Sequence, residues 1–100
     1  MAKYDVYRDV RGSDSLLVWV QADMFDPFDT RLAIPLLIER PYRTPLNKLN
    51  PIFEISGKRY VLYTQLMLAV PAIVLRERVG NVRAHRGEIT AAIDFLHQGF

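Results

Sequence analysis

Hydrophobic and polar positions change their period once along this chain, near Gly80-Asn81. Before that point the apolar residues come in short runs with strand spacing. Tyr4-Asp5-Val6-Tyr7 alternates apolar and polar, the pattern of a half-buried strand. Leu16-Leu17-Val18-Trp19-Val20 is apolar on both faces and predicts a central strand. Leu32 to Ile38 reads as another strand, in which Pro35 lacks an N–H and requires an edge, a bulge or a bend. Arg40 to Asn50, with Pro41, Pro45 and two asparagines, reads as a loop. Ile52–Ile55 and Tyr60–Tyr63 flank Ser56-Gly57-Lys58, which is a hairpin signal. Ala72-Ile73-Val74-Leu75, after Pro71, reads as the last strand.

Beyond Asn81 the spacing becomes helical. Val82, Ile89, Ile93 and Leu96 share one stripe, widened by Ala92, and predict a helix from about Val82 to Gln98, roughly 25 Å long. Asn81 is placed to cap it, and Glu88 suits the positive end of its dipole. Short strands interrupted by prolines, then one helix, predict a mainly β (α+β) fold. The economical form is an SH3-like, partly open barrel of short antiparallel strands with a C-terminal α-helix.

Composition narrows the classes. One hundred residues predict a single domain over 1–100, without repeats or linkers. With 13 Lys+Arg against 11 Asp+Glu the net charge is +2, which suits an acidic partner but falls short of a nucleic-acid footprint. No cysteine is present, so disulfides and thiolate metal sites are excluded. Neither a signal peptide nor an apolar run of membrane length is visible, and a cytoplasmic location is expected.

Catalytic motifs are absent: there is no nucleophile elbow, phosphate loop or dinucleotide fingerprint. Asp23, Asp26 and Asp29 read as turn-forming aspartates around Pro27 or as a hard-cation loop, and their spacing departs from the EF-hand pattern. His85 and His97 stand too far apart for a local metal pair. His85-Arg86 suits either partner contact or acid–base work on a phosphate. Met24-Phe25 and Phe28 fall in a loop, where large apolar side chains either plug a barrel mouth or bind a partner. Most informative is Ile93 to Phe100, where an apolar-periodic helix runs into Gly99-Phe100 with no polar tail. Such an end either docks on the body or presents itself to a partner.

Several of these residues also carry a resemblance. Val18-Trp19-Val20-Gln21-Ala22-Asp23-Met24-Phe25-Asp26 is followed by Thr30-Arg31-Leu32-Ala33-Ile34-Pro35-Leu36. Tyr4 to Tyr7, Val70-Pro71, His85-Arg86, Glu88-Ile89, Ala92 to Leu96 and Gly99-Phe100 follow the same pattern. In these motifs, in this order and over essentially the whole chain, the sequence resembles the CcdB family of toxins. The resemblance implies a homodimer of SH3-like barrels, each with a C-terminal helix, and a non-enzymatic toxin of a type II toxin–antitoxin module. Such a toxin traps DNA gyrase on cleaved DNA by binding its A subunit. A cognate CcdA-like antitoxin with a flexible acidic segment neutralises it, and the pair together regulates transcription. Neither cofactor, metal, membrane nor direct nucleic-acid binding by the toxin alone is implied.

Carried onto this chain, the gyrase-binding residues are Met24, Phe25, Asp94, Gln98, Gly99 and Phe100. The resemblance assigns no antitoxin surface. One departure stands out. The family's plasmid-borne member ends Trp-Gly-Ile, with the tryptophan stacked on gyrase arginines, and this chain ends Gln98-Gly99-Phe100. Two other readings follow. The related MazF/Kid toxins cleave RNA, and Arg31, His85 and Arg86 are the residues here that fit such chemistry. Alternatively, the loss of the tryptophan marks a homologue that folds and binds antitoxin without poisoning gyrase.

Overall fold

The computed structural model describes residues 2–10, 15–20 and 30–99. Asp5–Arg8 (β1) pairs with Ser15–Trp19 (β2), and β2 pairs with the long Thr30–Ile38 (β3). Ile52–Ile55 (β4) and Lys58–Leu62 (β5) form a hairpin, while Leu68–Pro71 (β6) and Arg78–Asn81 (β7) precede the single helix, Arg86–Gln98 (α1). Every pairing is antiparallel, in the order β4-β5-β3-β2-β1-β7, with β6 also on β3. The result is a curled, partly open barrel with one C-terminal helix, the predicted mainly β architecture.

The pairing explains how Pro35 fits inside β3. Val20 N–H donates to the Leu32 carbonyl at 3.1 Å, so Leu32, Ile34 and Leu36 turn their backbone groups toward β2. Pro35 therefore faces the opposite edge. There β6 pairs with Thr30–Ala33 and β5 with Leu36–Ile38, which leaves Pro35 at the junction where no donor is required. Its carbonyl is still used, accepting from Tyr63 N–H at 2.9 Å.

Two apolar clusters lie on the two sides of the sheet. Val6, Leu16, Val18, Ile34, Leu36, Phe53, Leu62, Val82 and Ile89 form the larger one, and Tyr7, Leu17, Ala33, Val70, Val74 and Leu75 the smaller. The central strand β2 feeds both, which accounts for its continuous apolar run.

Several expected boundaries are corrected. Ala72–Val74 is a 3-10 turn, not a strand, and the true strands there are β6 and β7. Pro71 closes the pairing with Thr30, and Leu75 N–H turns back to the Ala72 carbonyl at 3.0 Å. Val74 and Leu75 are buried all the same, so their apolar character marks the second cluster rather than a strand. Tyr4 lies outside β1 with φ 74°, and Asp5 is buried despite the apparent alternation. The hairpin turn is Ser56-Gly57 alone, with φ 52° and 78°, and Lys58 already belongs to β5.

The helix also begins later than its stripe suggests. Arg83–His85 is a 3-10 turn and α1 starts at Arg86. Asn81 caps the turn rather than the helix, its Oδ1 accepting from Arg83 N–H at 2.8 Å. His85 enters α1 without a side-chain cap, which forgoes about 1 kcal/mol. Burial of Ile89 contributes about 1.5–3 kcal/mol. Packing on the sheet, not capping, therefore holds the helix in place.

Candidate functional site

Ile89 and Ala92 fix the orientation of α1 by facing the core. Asp94 and Gln98 stand one helical turn apart on an exposed part of its surface, followed by exposed Gly99. These are three of the six residues expected to contact gyrase, brought together at one end of the molecule. Met24, Phe25 and Phe100 lie outside the described residues, as do Asp23, Asp26, Phe28 and Asp29.

Gly99 sets how the helix ends. It adopts φ 78° and ψ 20°, and its N–H donates to the Phe95 carbonyl at 2.8 Å. No atom would touch an added Cβ there, so the requirement for glycine is conformational. The remaining last-turn carbonyls point outward at the negative end of the helix dipole. Asp94 adds a carboxylate on the side where the dipole disfavours it, at a cost of at most about 0.5 kcal/mol. Together they form an acceptor-rich end suited to cationic donors such as arginine side chains.

The residues that would serve RNA cleavage are dispersed. His85 stacks on Phe53 with ring centroids 4.5 Å apart, and its Nδ1 lies 3.1 Å from Glu88 Oε1. Arg86 is turned to the Arg83 carbonyl, to which Nη1 donates at 3.1 Å. Arg31 is buried at the start of β3, donating from Nη1 to the Thr30 carbonyl at 3.0 Å. It sits opposite Val70 of the smaller cluster, whereas Phe53 belongs to the larger one. The sheet therefore separates Arg31 from His85.

Sequence reasoning missed a second region. The 40–50 loop is anchored at its end by Asn50, which is buried. Its Nδ2 donates to the Leu62 carbonyl at 3.0 Å and to Gln65 Oε1 at 2.7 Å, and its Oδ1 accepts from Leu46 N–H at 3.0 Å. Thr64 Oγ1 donates to the Leu49 carbonyl at 2.7 Å. This holds Leu46 out on the surface, 54% exposed. The signal in the chain was Leu46 and Leu49 within an otherwise polar, proline-bearing loop.

No helix among the described residues is long and apolar enough to cross a membrane. Among them there is also no group of three or more His, Cys, Asp or Glu residues able to hold a metal ion. A comparison with curated proteins finds no match. The sequence model of a protein family, described as CcdB protein, matches residues 3–99.

Proposed function

The chain belongs to the CcdB family and is a toxin of a toxin–antitoxin system, and from that premise we propose that it poisons DNA gyrase. In this reading it acts in the cytoplasm as a homodimer, one toxin domain per chain over residues 1–100. It binds the gyrase A subunit in the cavity exposed when DNA is cleaved and blocks resealing, so the protein works as a wedge and not as an enzyme. A cognate CcdA-like antitoxin with an acidic flexible segment removes it, and the two together regulate their own transcription.

The observation that carries this reading is the family match over nearly the whole chain, joined to the acceptor-rich helix end. Asp94, Gln98 and Gly99 would meet gyrase there, with Met24, Phe25 and Phe100 as the apolar part of the contact. Leu96, 39% exposed at the end of the apolar stripe, supports a second copy packing near this helix.

Gln98 in place of the family tryptophan favours one further reading, a homologue that binds antitoxin but leaves gyrase intact. Purified protein mixed with gyrase, ATP and supercoiled plasmid separates the two. Linear DNA after detergent and protease, lost on deleting Gly99-Phe100, is the expected result. A folded dimer that yields no linear DNA with its host gyrase would overturn gyrase poisoning.

A further inference from the structure

Four cationic side chains from the two ends of the chain meet where α1 begins. Asn81 Oδ1 accepts from Arg83 N–H at 2.8 Å, and Asn81 Nδ2 reaches the Lys3 carbonyl at 3.4 Å. Arg78 Nε donates to Asp5 Oδ1 at 2.9 Å, and Arg86 Nη1 donates to the Arg83 carbonyl at 3.1 Å. Asp5 and Asn81 thereby gather Lys3, Arg78, Arg83 and Arg86 into one face. The net charge of +2 for the whole chain conceals this local excess.

Most of that charge has no counterion within the fold. Asp5 is buried and engages Arg78 through Nε alone, while the Arg78 side chain stays 55% exposed. Lys3 lies over the Tyr4 ring at 5.2 Å, and neither it, Arg83 nor Arg86 forms an ion pair with a described residue. The neighbouring carboxylates are occupied. Glu77 pairs with Arg8 at 2.9 Å, and Glu88 lies 3.1 Å from His85 Nδ1. Glu88 is also two positions from Arg86, a spacing that does not bring side chains face to face on a helix.

The class of partner follows from what the face lacks. None of the large apolar side chains exposed among the described residues belongs to it. A protein partner is anchored by apolar or aromatic side chains at the centre of the contact. A phosphate chain needs no such anchor, and planar guanidinium groups match its oxygens two at a time.

We propose that Lys3, Arg78, Arg83 and Arg86 hold the phosphate backbone of duplex DNA. The proposal rests on the gyrase reading above, in which the toxin works against cleaved DNA, and adds the DNA itself as a partner. The 13 residues of α1 set this face about 20 Å from the acceptor-rich end. One helix thus addresses DNA at its start and gyrase at its finish. Such a contact reads no bases, so it is independent of sequence and sensitive to salt.

The test is fluorescence anisotropy of the full-length protein with a labelled duplex of mixed sequence, about 20 base pairs long, titrated from low to physiological salt. The logarithm of the binding constant should fall with that of the salt concentration at a slope of about −3. Arg83→Gln and Arg86→Gln, both at exposed positions, should each weaken binding severalfold and reduce the slope by about one. Lys58→Gln, an exposed charge on the β4–β5 hairpin, should change neither. No binding at low salt, or an unchanged slope in both arginine variants, would overturn the proposal. So would an equal loss in Lys58→Gln, or equally tight binding of a poly-glutamate peptide, since either would show unselective charge attraction. The gyrase reading is decided separately, by whether the parent protein yields linear DNA with gyrase.

Discussion

Asn81 Nδ2 donates to Asp5 Oδ1 at 2.9 Å, joining residues 76 positions apart in the chain. The same carboxylate accepts from Arg78 Nε at 2.9 Å and from Ala2 N–H at 2.8 Å, with the Tyr7 hydroxyl farther off at 3.4 Å. Asn81 also receives Arg83 N–H on its Oδ1. One buried acid thus binds the first strand to the last and to the turn that launches the helix. The orientation of the candidate site depends on a residue at the other end of the sequence.

That arrangement predicts a pH profile. Burial alone would raise the Asp5 carboxyl, but hydrogen bonds from Asn81, Ala2 and Arg78, with the Arg78 charge, together hold it below its ordinary value. A depressed carboxylate contributes stability that is present above its unfolded value and lost as pH falls through the folded one. Thermal stability should therefore drop on acidification below roughly pH 4. Tyr7 is shifted the other way, raised by burial and then by the Asp5 charge and hydrogen bond. Its contribution is complete below its unfolded value and fades above roughly pH 10. Asp5→Asn should cost about 1–3 kcal/mol near neutrality, flatten the acid limb and move tyrosinate formation to lower pH. Melting curves across pH, with tyrosinate absorbance, read all three effects, and an unchanged acid limb would contradict this account.

Asn50 is expected to matter more than its place in a loop implies. It satisfies the Leu62 carbonyl, Leu46 N–H and Gln65 from a buried position. Asn50→Ala leaves these groups unpaired and should cost about 1–3 kcal/mol in urea unfolding. Asn50→Asp should cost more, because an acceptor then faces the Leu62 carbonyl. Equal stability of the two variants would show that the amide donor is not what holds the loop.

The barrel-plus-helix architecture was legible in the chain because strand runs and a helical stripe carry distinct periods. The central position of Leu16–Val20 and the turn at Ser56-Gly57 were legible for the same kind of reason: two-sided apolarity and turn chemistry. Asp5 was not, since its spacing in Tyr4–Tyr7 matches an exposed position and its partners Arg78 and Asn81 are distant in sequence. Ala72–Leu75 misled because burial in the second cluster needs apolar residues but no ladder. At the site, the sequence placed Asp94 and Gln98 within the predicted helix, and the structure shows them on one exposed surface of it. The one sign of the second region in the sequence was Leu46 and Leu49 in an otherwise polar loop, and the region itself arises only when the 40–50 loop folds against Leu62 and Thr64.

The two-residue turn of the β4–β5 hairpin places Ser56 at φ 52° and Gly57 at φ 78°. Both central residues are left-handed, the arrangement that matches strand twist and favours Asn-Gly. Serine bears a steric cost there that asparagine largely avoids. Ser56→Asn should therefore stabilise the protein by up to about 1 kcal/mol, and Gly57→Val should destabilise it by about 1–2 kcal/mol. Denaturant midpoints would measure both, and a stabilising Gly57→Val would refute the turn geometry.

Gln98 offers the most direct test of how the helix end works. It is exposed, one turn beyond Asp94 and next to a glycine whose φ of 78° ends the helix. Restoring an aromatic there by Gln98→Trp buries nothing and leaves the Ile89 and Ala92 anchors untouched, so stability should stay within about 0.5 kcal/mol. If the acceptor-rich end meets arginines of gyrase, the new ring adds cation–π contact worth about 0.5–2 kcal/mol per site. A two-fold dimer would present it twice. The yield of linear DNA at limiting toxin should rise accordingly, and Asp94→Ala should lower it by removing the carboxylate beside the same donors. Gly99→Ala separates geometry from contact, because it leaves both side chains in place and strains only the cap, by about 1–2 kcal/mol. Should Gln98→Trp change nothing while Gly99→Ala abolishes linear DNA, the shape of the helix end, rather than a side chain at position 98, would be what gyrase recognises.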